Sequence, residues 1–261
     1  MTAKKIKIVM LVGSRHSSKL LVSKINSKFS VDKVLMEKKQ PHFRLILRRI
    51  QKLGVVHVLG QLLFYFYYIC QKYFSKPRIS QILYDSNLID INYKEIDSLE
   101  YVDSANSEYV CVLLANIQPD LVIVNGTRIL SQNVLKSCKA KFINIHAGIT
   151  TKYRGAHGGY WALVNDDRLN CGVTIHFIDE GIDTGSELCR SVIYPTSSDN
   201  FSTYPYLQLA AGIPLVMKLI DDFKDGWVSE SLISTMPNES KVFYIPTLWG
   251  YLMRRWLRGI R

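Results

Sequence analysis

Phe142-Ile143-Asn144-Ile145-His146 and Gly172-Val173-Thr174-Ile175-His176-Phe177-Ile178-Asp179-Glu180-Gly181-Ile182-Asp183-Thr184-Gly185 decide how this chain is read. Both begin as short apolar runs, the pattern of buried strands. Residues two apart in a strand point to one side, so Asn144 and His146 share a face at a strand end. Open α/β sheets build their sites at such ends. Asp183 falls in a glycine-flanked loop between two strands, where backbone can approach a ligand closely. An imidazole there can serve as acid, base or oxyanion donor. An amide can polarise a carbonyl, and a nearby carboxylate favours the charged imidazole and can take a proton through water. Two plainer readings stand beside these: a structural strand-end histidine, and turn aspartates that satisfy their own backbone.

Outward from this stretch the pattern alternates. Ile6–Val12 and Val31–Met36 read as strands around a helix at 17–29. Leu88–Ile91 reads as a weak strand, 104–117 as a helix, Leu121–Val124 as a strong strand and Ser131–Ser137 as a short helix with Ser131 as cap. A helix at Gly158–Asn165, strands at Val173–Ile178 and Leu188–Tyr194 and a long helix at 203–223 complete it. Strands alternating with helices imply an α/β fold, a Rossmann-like, mostly parallel sheet with helices on both faces. The dinucleotide fingerprint Gly-x-Gly-x-x-Gly is missing from the opening unit, so NAD and FAD are not supported.

Composition sets broad limits. With 48% hydrophobic residues, the chain has material for a core and is not a disordered sequence. A net charge of +11 permits anionic partners. None of the five cysteines forms a Cys-x-x-Cys pair, and no signal peptide precedes the first strand. The expectation is reduced core thiols in a cytoplasmic protein without a metal site. Residues 1–225 read as a catalytic domain and 226–261 as a basic, aromatic C-terminal extension.

Residues 41–78 interrupt the alternation as a helical insertion, in which Arg44, Arg48, Arg49 and Lys52 precede the uncharged run Leu53–Cys70. A membrane span, an interfacial helix on the inner face of an anionic membrane, and a helix packed on the sheet or in a homodimer interface are the readings weighed. A span would tear apart one predicted sheet.

Asn-x-His, then Tyr153-Arg154-Gly155, then Gly-Val-Thr-x-His, then Asp183 in Asp-x-Gly follow in order, with Asn125-Gly126-Thr127-Arg128-Ile129-Leu130-Ser131 upstream. In these motifs the chain resembles the folate-dependent formyltransferases, a family that includes glycinamide ribonucleotide transformylase, methionyl-tRNA formyltransferase and the sugar N-formyltransferases. The resemblance spans roughly residues 104–195. It implies the formyltransferase fold, 10-formyltetrahydrofolate as donor, and Asn144, His146 and Asp183 as catalytic residues. The amide of Asn144 and a protonated His146 would stabilise the oxyanion, and Asp183 would hold His146 and accept the amine's proton through water. Gly126, Thr127, Arg128, Ile129 and Leu130, with Asp179, Glu180, Gly181 and Ile182, would hold the pterin.

The sequence departs from this family after His146, where Ala147-Gly148-Ile149-Thr150-Thr151-Lys152 replaces a Pro-Ser-Leu-Leu-Pro type loop. That loop borders the acceptor side, and Arg154, His157 and Tyr160 nearby are candidate acceptor contacts. The residues beyond 223 are too few for the nucleic-acid-binding barrel of the tRNA enzymes, so no nucleic-acid partner is expected. The acceptor expected is an amino sugar on a nucleotide or lipid carrier, for surface polysaccharide. A formyltetrahydrofolate hydrolase and a non-catalytic, membrane-associated folate- or nucleotide-binding module are the alternatives.

Overall fold

The computed structural model describes residues 6–39, 42–89, 93–179, 181, 183–226 and 240–261. Strand β1 (Ile8–Gly13) is buried along its whole length. Its side chains alternate between two cores: Ile8, Met10 and Val12 enter one, Val9 and Leu11 the other. Helix α1 (His16–Lys28) returns the chain to β2 (Lys33–Glu37), which pairs parallel with β1. The insertion forms α2 (His42–Leu53), α3 (Val55–Phe74) and α4 (Lys76–Asp85). Then come β3 (Leu99–Val102), α5 (Glu108–Ile117), β4 (Leu121–Asn125), the single-turn α6 (Gln132–Leu135) and β5 (Lys141–His146).

The sheet order is β3-β2-β1-β4-β5-β7-β8, with β7 at Gly172–Phe177 and β8 at Glu187–Val192. The first five strands are parallel, and β7 and β8 run antiparallel to their neighbours. Helices α1, α4 and α8 (Tyr204–Lys224) cover one face, and α5 and α6 cover the other. This is the mostly parallel α/β sheet that the alternation implied. The chain reverses direction across the sheet between β1 and β4, which makes their carboxyl ends a switch-point crevice. Gly13 and Gly126 meet there so closely that a side chain on Gly13 would overlap the Gly126 carbonyl.

Two local expectations change. No strand forms at Leu88 and Ile89, and residues 90–92 lie outside the described set; Leu88 fills the core beside α1 instead. The edge strand is β3, which pairs only with β2 and is half exposed, so its sequence lacks a buried strand's apolar run. Ser131 does precede α6, but its hydroxyl makes no capping hydrogen bond; its N–H donates to the Asn106 Oδ1.

The insertion packs on the protein itself. Phe64 of α3 joins Tyr160 of α7 (Gly158–Val164), Phe201 and Tyr251 of α9 (Leu248–Arg258) in an aromatic cluster. Downstream of α8, β9 (Lys241–Phe243) pairs parallel with the short β6 (Tyr153–Gly155). Gln61 of α3 donates to the Ile245 carbonyl and Gln71 to the Tyr251 hydroxyl, which fix α9 against α3. Among the described residues, no helix is long and apolar enough to cross a membrane.

Candidate active site

Asn144 and His146 stand at the end of β5, on the same side, as the strand period requires. Across the antiparallel ladder, Asn144 lies opposite His176 and His146 opposite Thr174. Asp183 reaches them from the β7–β8 loop, in a left-handed backbone conformation (φ 53°) that costs a non-glycine residue about 1 kcal/mol. Its Oδ1 is 3.2 Å from the His146 Nδ1, 3.3 Å from the Asn144 Nδ2 and 3.7 Å from the His176 Nε2. Its Oδ2 accepts the Gly155 N–H at 3.1 Å. Four residues from three segments thus converge on one carboxylate.

The hydrogen bonds order the protons. The His176 Nδ1 lies 2.7 Å from the Phe177 carbonyl, which can only accept, so Nδ1 carries the hydrogen and Nε2 a lone pair. The Asn144 Nδ2 lies 3.2 Å from that Nε2. One amide hydrogen therefore goes to His176 and the other to Asp183, which leaves the Asn144 carbonyl oxygen as the group free for a ligand. This differs from the oxyanion-donor role expected for the amide. Burial, then the neighbouring His146, lower the His176 pKa despite the Phe177 carbonyl and Asp183, which keeps the acceptor lone pair in place.

Burial alone would raise the Asp183 carboxyl. The hydrogen bond and charge of His146, the Gly155 N–H and His176 outweigh it and hold it down to about 2. An ionised Asp183 requires a hydrogen on the His146 Nδ1. The His146 Nε2 is buried without a hydrogen-bond partner among the described residues, beside Gly148, where an added Cβ would come within 3.2 Å of it. One ligand atom each from His146, His176 and Asp183 lie within 4.8 Å of one another, a spacing a cation could span. The Asn144 amide hydrogens point at two of those three atoms, so the donor set suits proton handling better than a metal ion.

These groups line a cavity of ≈ 480 Å³ at the switch point. Gly126, Thr127, Arg128, Ile129 and Leu130 form one wall, and Asp179 and Gly181 face it. Glu180 and Ile182, expected beside them, lie outside the described residues. The wall is braced from behind. Glu37, at the end of β2, accepts the Ala105 and Arg128 N–H groups and forms an ion pair with the Arg128 guanidinium. Asn125 accepts from the Ser18 hydroxyl and donates to the Ile145 carbonyl. The Asp179 carboxylate accepts the Gly181 N–H and the Thr184 hydroxyl, so it shapes its own loop.

The candidate acceptor contacts separate. His157 lines the cavity, with its ring 4.2 Å from that of Phe201. Burial, then the charge of Arg15, push its imidazole down to about 3. Tyr160 is only 1% exposed and sits inside the aromatic cluster. Arg154 donates to the Ser240 carbonyl on the β6–β9 side, and neither it nor Tyr160 lines the cavity. Arg15, Ser17, Ser18, Arg49, Gln208 and Tyr244 line it without having been read from the sequence. A larger cavity of ≈ 680 Å³ beside the end of α9 holds none of the converging residues.

A family model described as formyl transferase matches residues 70–204. A methionyl-tRNA formyltransferase of Thermodesulfovibrio yellowstonii is 34% identical over 136 residues, which cover 52% of this chain and 42% of that protein. The chain spans less than half the length of the curated relatives it matches. A phosphoribosylglycinamide formyltransferase structure from Anaplasma phagocytophilum aligns with a TM-score of 0.57 at 14% identity, covering 92% of this chain and 98% of that one. A sugar N-formyltransferase structure from Shewanella aligns with a TM-score of 0.53 at 14% identity, covering 91% of this chain and 76% of that one. At these identities the structural likeness concerns the fold.

Proposed function

The chain belongs to the formyl transferase family, and on that premise we propose that it moves the formyl group of 10-formyltetrahydrofolate to the primary amine of an amino sugar carried on a nucleotide or a lipid. The single observation that carries this reading is the convergence of Asn144, His146 and His176 on the Asp183 carboxylate at the floor of the switch-point cavity. The donor supplies the formyl carbon. The pterin lies between the wall Gly126–Leu130 and the loop at Asp179 and Gly181, whose brace by Glu37 leaves the wall's inner side to the ligand.

In the reaction a carbon–nitrogen bond forms to the amine and the bond from formyl carbon to folate nitrogen breaks. The amine loses a proton and the folate nitrogen gains one. The Asn144 carbonyl oxygen accepts an amine N–H and aims the nitrogen lone pair at the formyl carbon. Asp183 holds the Nδ1–H of His146 and stabilises the imidazolium. That imidazolium donates from Nε2 to the oxyanion, a contribution of about 3–4 kcal/mol for a good donor in a dry site. His146 then supplies the proton the folate nitrogen needs, and Asp183 takes the amine's proton through water.

The acceptor side supports a phosphate-bearing substrate. Arg15, at the N-terminus of α1, lines the cavity together with Ser17 and Ser18 of the first turn, and Arg49 of α2 lines it as well. Free N–H groups and a positive helix end favour an anion there. In this reading residues 1–225 are the catalytic domain and the protein works in the cytoplasm on a small-molecule acceptor.

The test is mass spectrometry of nucleotide- and lipid-linked amino sugars, with methionyl-tRNA as a further acceptor, after incubation with 10-formyltetrahydrofolate. Gain of one formyl group on an amino sugar supports the proposal. Rapid formate release without any amine would establish a hydrolase instead. Transfer to methionyl-tRNA alone would replace the acceptor, and no turnover with any of them would leave a binding module.

A further inference from the structure

The outer side of the insertion carries an apolar surface that no other part of the described chain covers. On α3, Val55, Leu59, Leu62, Phe66, Ile69 and Tyr73 are all exposed, Phe66 at 66%. Their spacing of four and three residues places them in one stripe along the whole helix. The opposite side of α3 presents Val58, Gln61 and Phe64 to the protein. On α9, Leu252, Met253 and Trp256 are exposed likewise, Trp256 at 85%. Trp249 joins the two rows: its ring lies against Gly60 of α3 and is itself 47% exposed. Singly exposed apolar residues are ordinary; two adjoining helical rows mark an interaction surface.

The charge around this surface identifies what it meets. Residues 38–84 hold nine Lys and Arg and no Asp or Glu, and residues 240–261 hold five and none. The remaining residues carry 19 basic and 22 acidic groups, so these two segments account for the whole positive balance of the chain. Arg78 is neutralised by Asp199 of the catalytic domain. Burial, then the charges of Lys39 and Arg15, lower the Lys72 pKa. A second copy would bring the same acid-free surface against itself. A span is excluded for the described helices by their length and polarity. An anionic lipid surface satisfies both the apolar rows and the charge.

We infer that the α3–α9 surface docks on an anionic phospholipid bilayer, with α3 lying in the plane of the interface. Apolar side chains enter the headgroup boundary and the flanking Lys and Arg meet lipid phosphates. Arg49, Leu53 and Gln61 of α2 and α3, with Tyr244 and Ile245 ahead of α9, also line the active-site cavity. Docking therefore brings the cavity to the membrane surface, where acceptors embedded in lipid are at hand. The docking stands on this surface alone and holds whichever amine is formylated.

The experiment is co-sedimentation of the full chain with vesicles of phosphatidylcholine, alone or with about 30% phosphatidylglycerol. Binding to the anionic vesicles only, reduced by raised salt, is expected, together with quenching of Trp256 fluorescence by brominated lipid. The F66E and W256E variants change exposed positions, so the melting temperature stays near wild type while partitioning falls about tenfold or more. Failure of the wild type to bind anionic vesicles overturns the inference. So does a dimer in sedimentation velocity that F66E dissociates, which would show that a second copy covers the face.

Discussion

The amide nitrogen of Asn144 lies 3.2 Å from the Nε2 of His176, and the other nitrogen of that ring lies 2.7 Å from the Phe177 carbonyl. The backbone of β7 thus sets a tautomer, and the tautomer sets which way the Asn144 amide faces. His176 acts here as a positioning residue. His176→Leu should lower kcat about tenfold or more, since a neutral hydrogen bond contributes about 1 kcal/mol and an unpartnered buried group costs a further 1–3. His176→Gln, whose side chain keeps an acceptor, should recover most of it. If both variants lose kcat equally while the melting temperature holds, Asn144 is oriented by something else.

Asp183 ties site chemistry to stability. Its folded value of about 2 lies below the ordinary carboxyl value of 3.8. The stabilisation is therefore present above the ordinary value and lost as pH falls toward 2. Asp183→Asn should cost about 2 kcal/mol at neutral pH, and kcat should fall by about 10²–10⁴-fold. Denaturant titrations should show the stability gap between the two proteins narrowing from pH 7 to pH 3. A gap that is constant across that range would mean that the carboxylate charge is not what stabilises the fold.

His157 behaves in the opposite chemical sense. Its folded pKa of about 3 lies below the ordinary 6.5, so the unfolded chain binds the proton first as pH falls. Its buried neutral form is without cost above pH 6.5, and stability is lost as pH drops toward 3. His157→Phe keeps a ring against Phe201 and removes the titration. The melting temperature of that variant should decline less steeply between pH 7 and pH 4 than that of the wild type. Parallel decline would place the acid sensitivity elsewhere.

Arg15 distinguishes acceptor binding from chemistry. Arg15→Ala should raise the acceptor KM about 10- to 100-fold, in line with about 1.5–3 kcal/mol for a hydrogen bond to a charged group. The kcat and the KM for the folate should stay near wild type. An unchanged acceptor KM would remove the phosphate contact assigned to the α1 terminus.

Much of this site was legible because strand geometry is local. The two-residue period alone placed Asn144 and His146 together, and the glycines around Asp183 marked a close-approach loop. The sheet and its switch point followed from the alternation of apolar runs. What could not be read depended on residues far apart in the chain. Tyr160 looked like an acceptor contact until Phe64, Phe201 and Tyr251 enclosed it. Arg128 lines the cavity as expected, yet its guanidinium turns to Glu37 on a distant strand. Arg15 is one of 33 basic residues and carries no local signal. The sequence does not mark the part His176 plays, because its tautomer depends on its contact with the Phe177 backbone carbonyl.

Gly155 belongs to two structures at once. Its N–H holds the Asp183 carboxylate, and its left-handed backbone (φ 85°) lies in β6, paired with Phe243 of β9. A side chain at this position would collide with the Phe243 carbonyl. The Asp183 carboxylate therefore takes one of its donors from a strand whose partner lies near the far end of the chain. The Asp183 contact and the β6–β9 pairing thus share one residue, and a side chain there would disturb both.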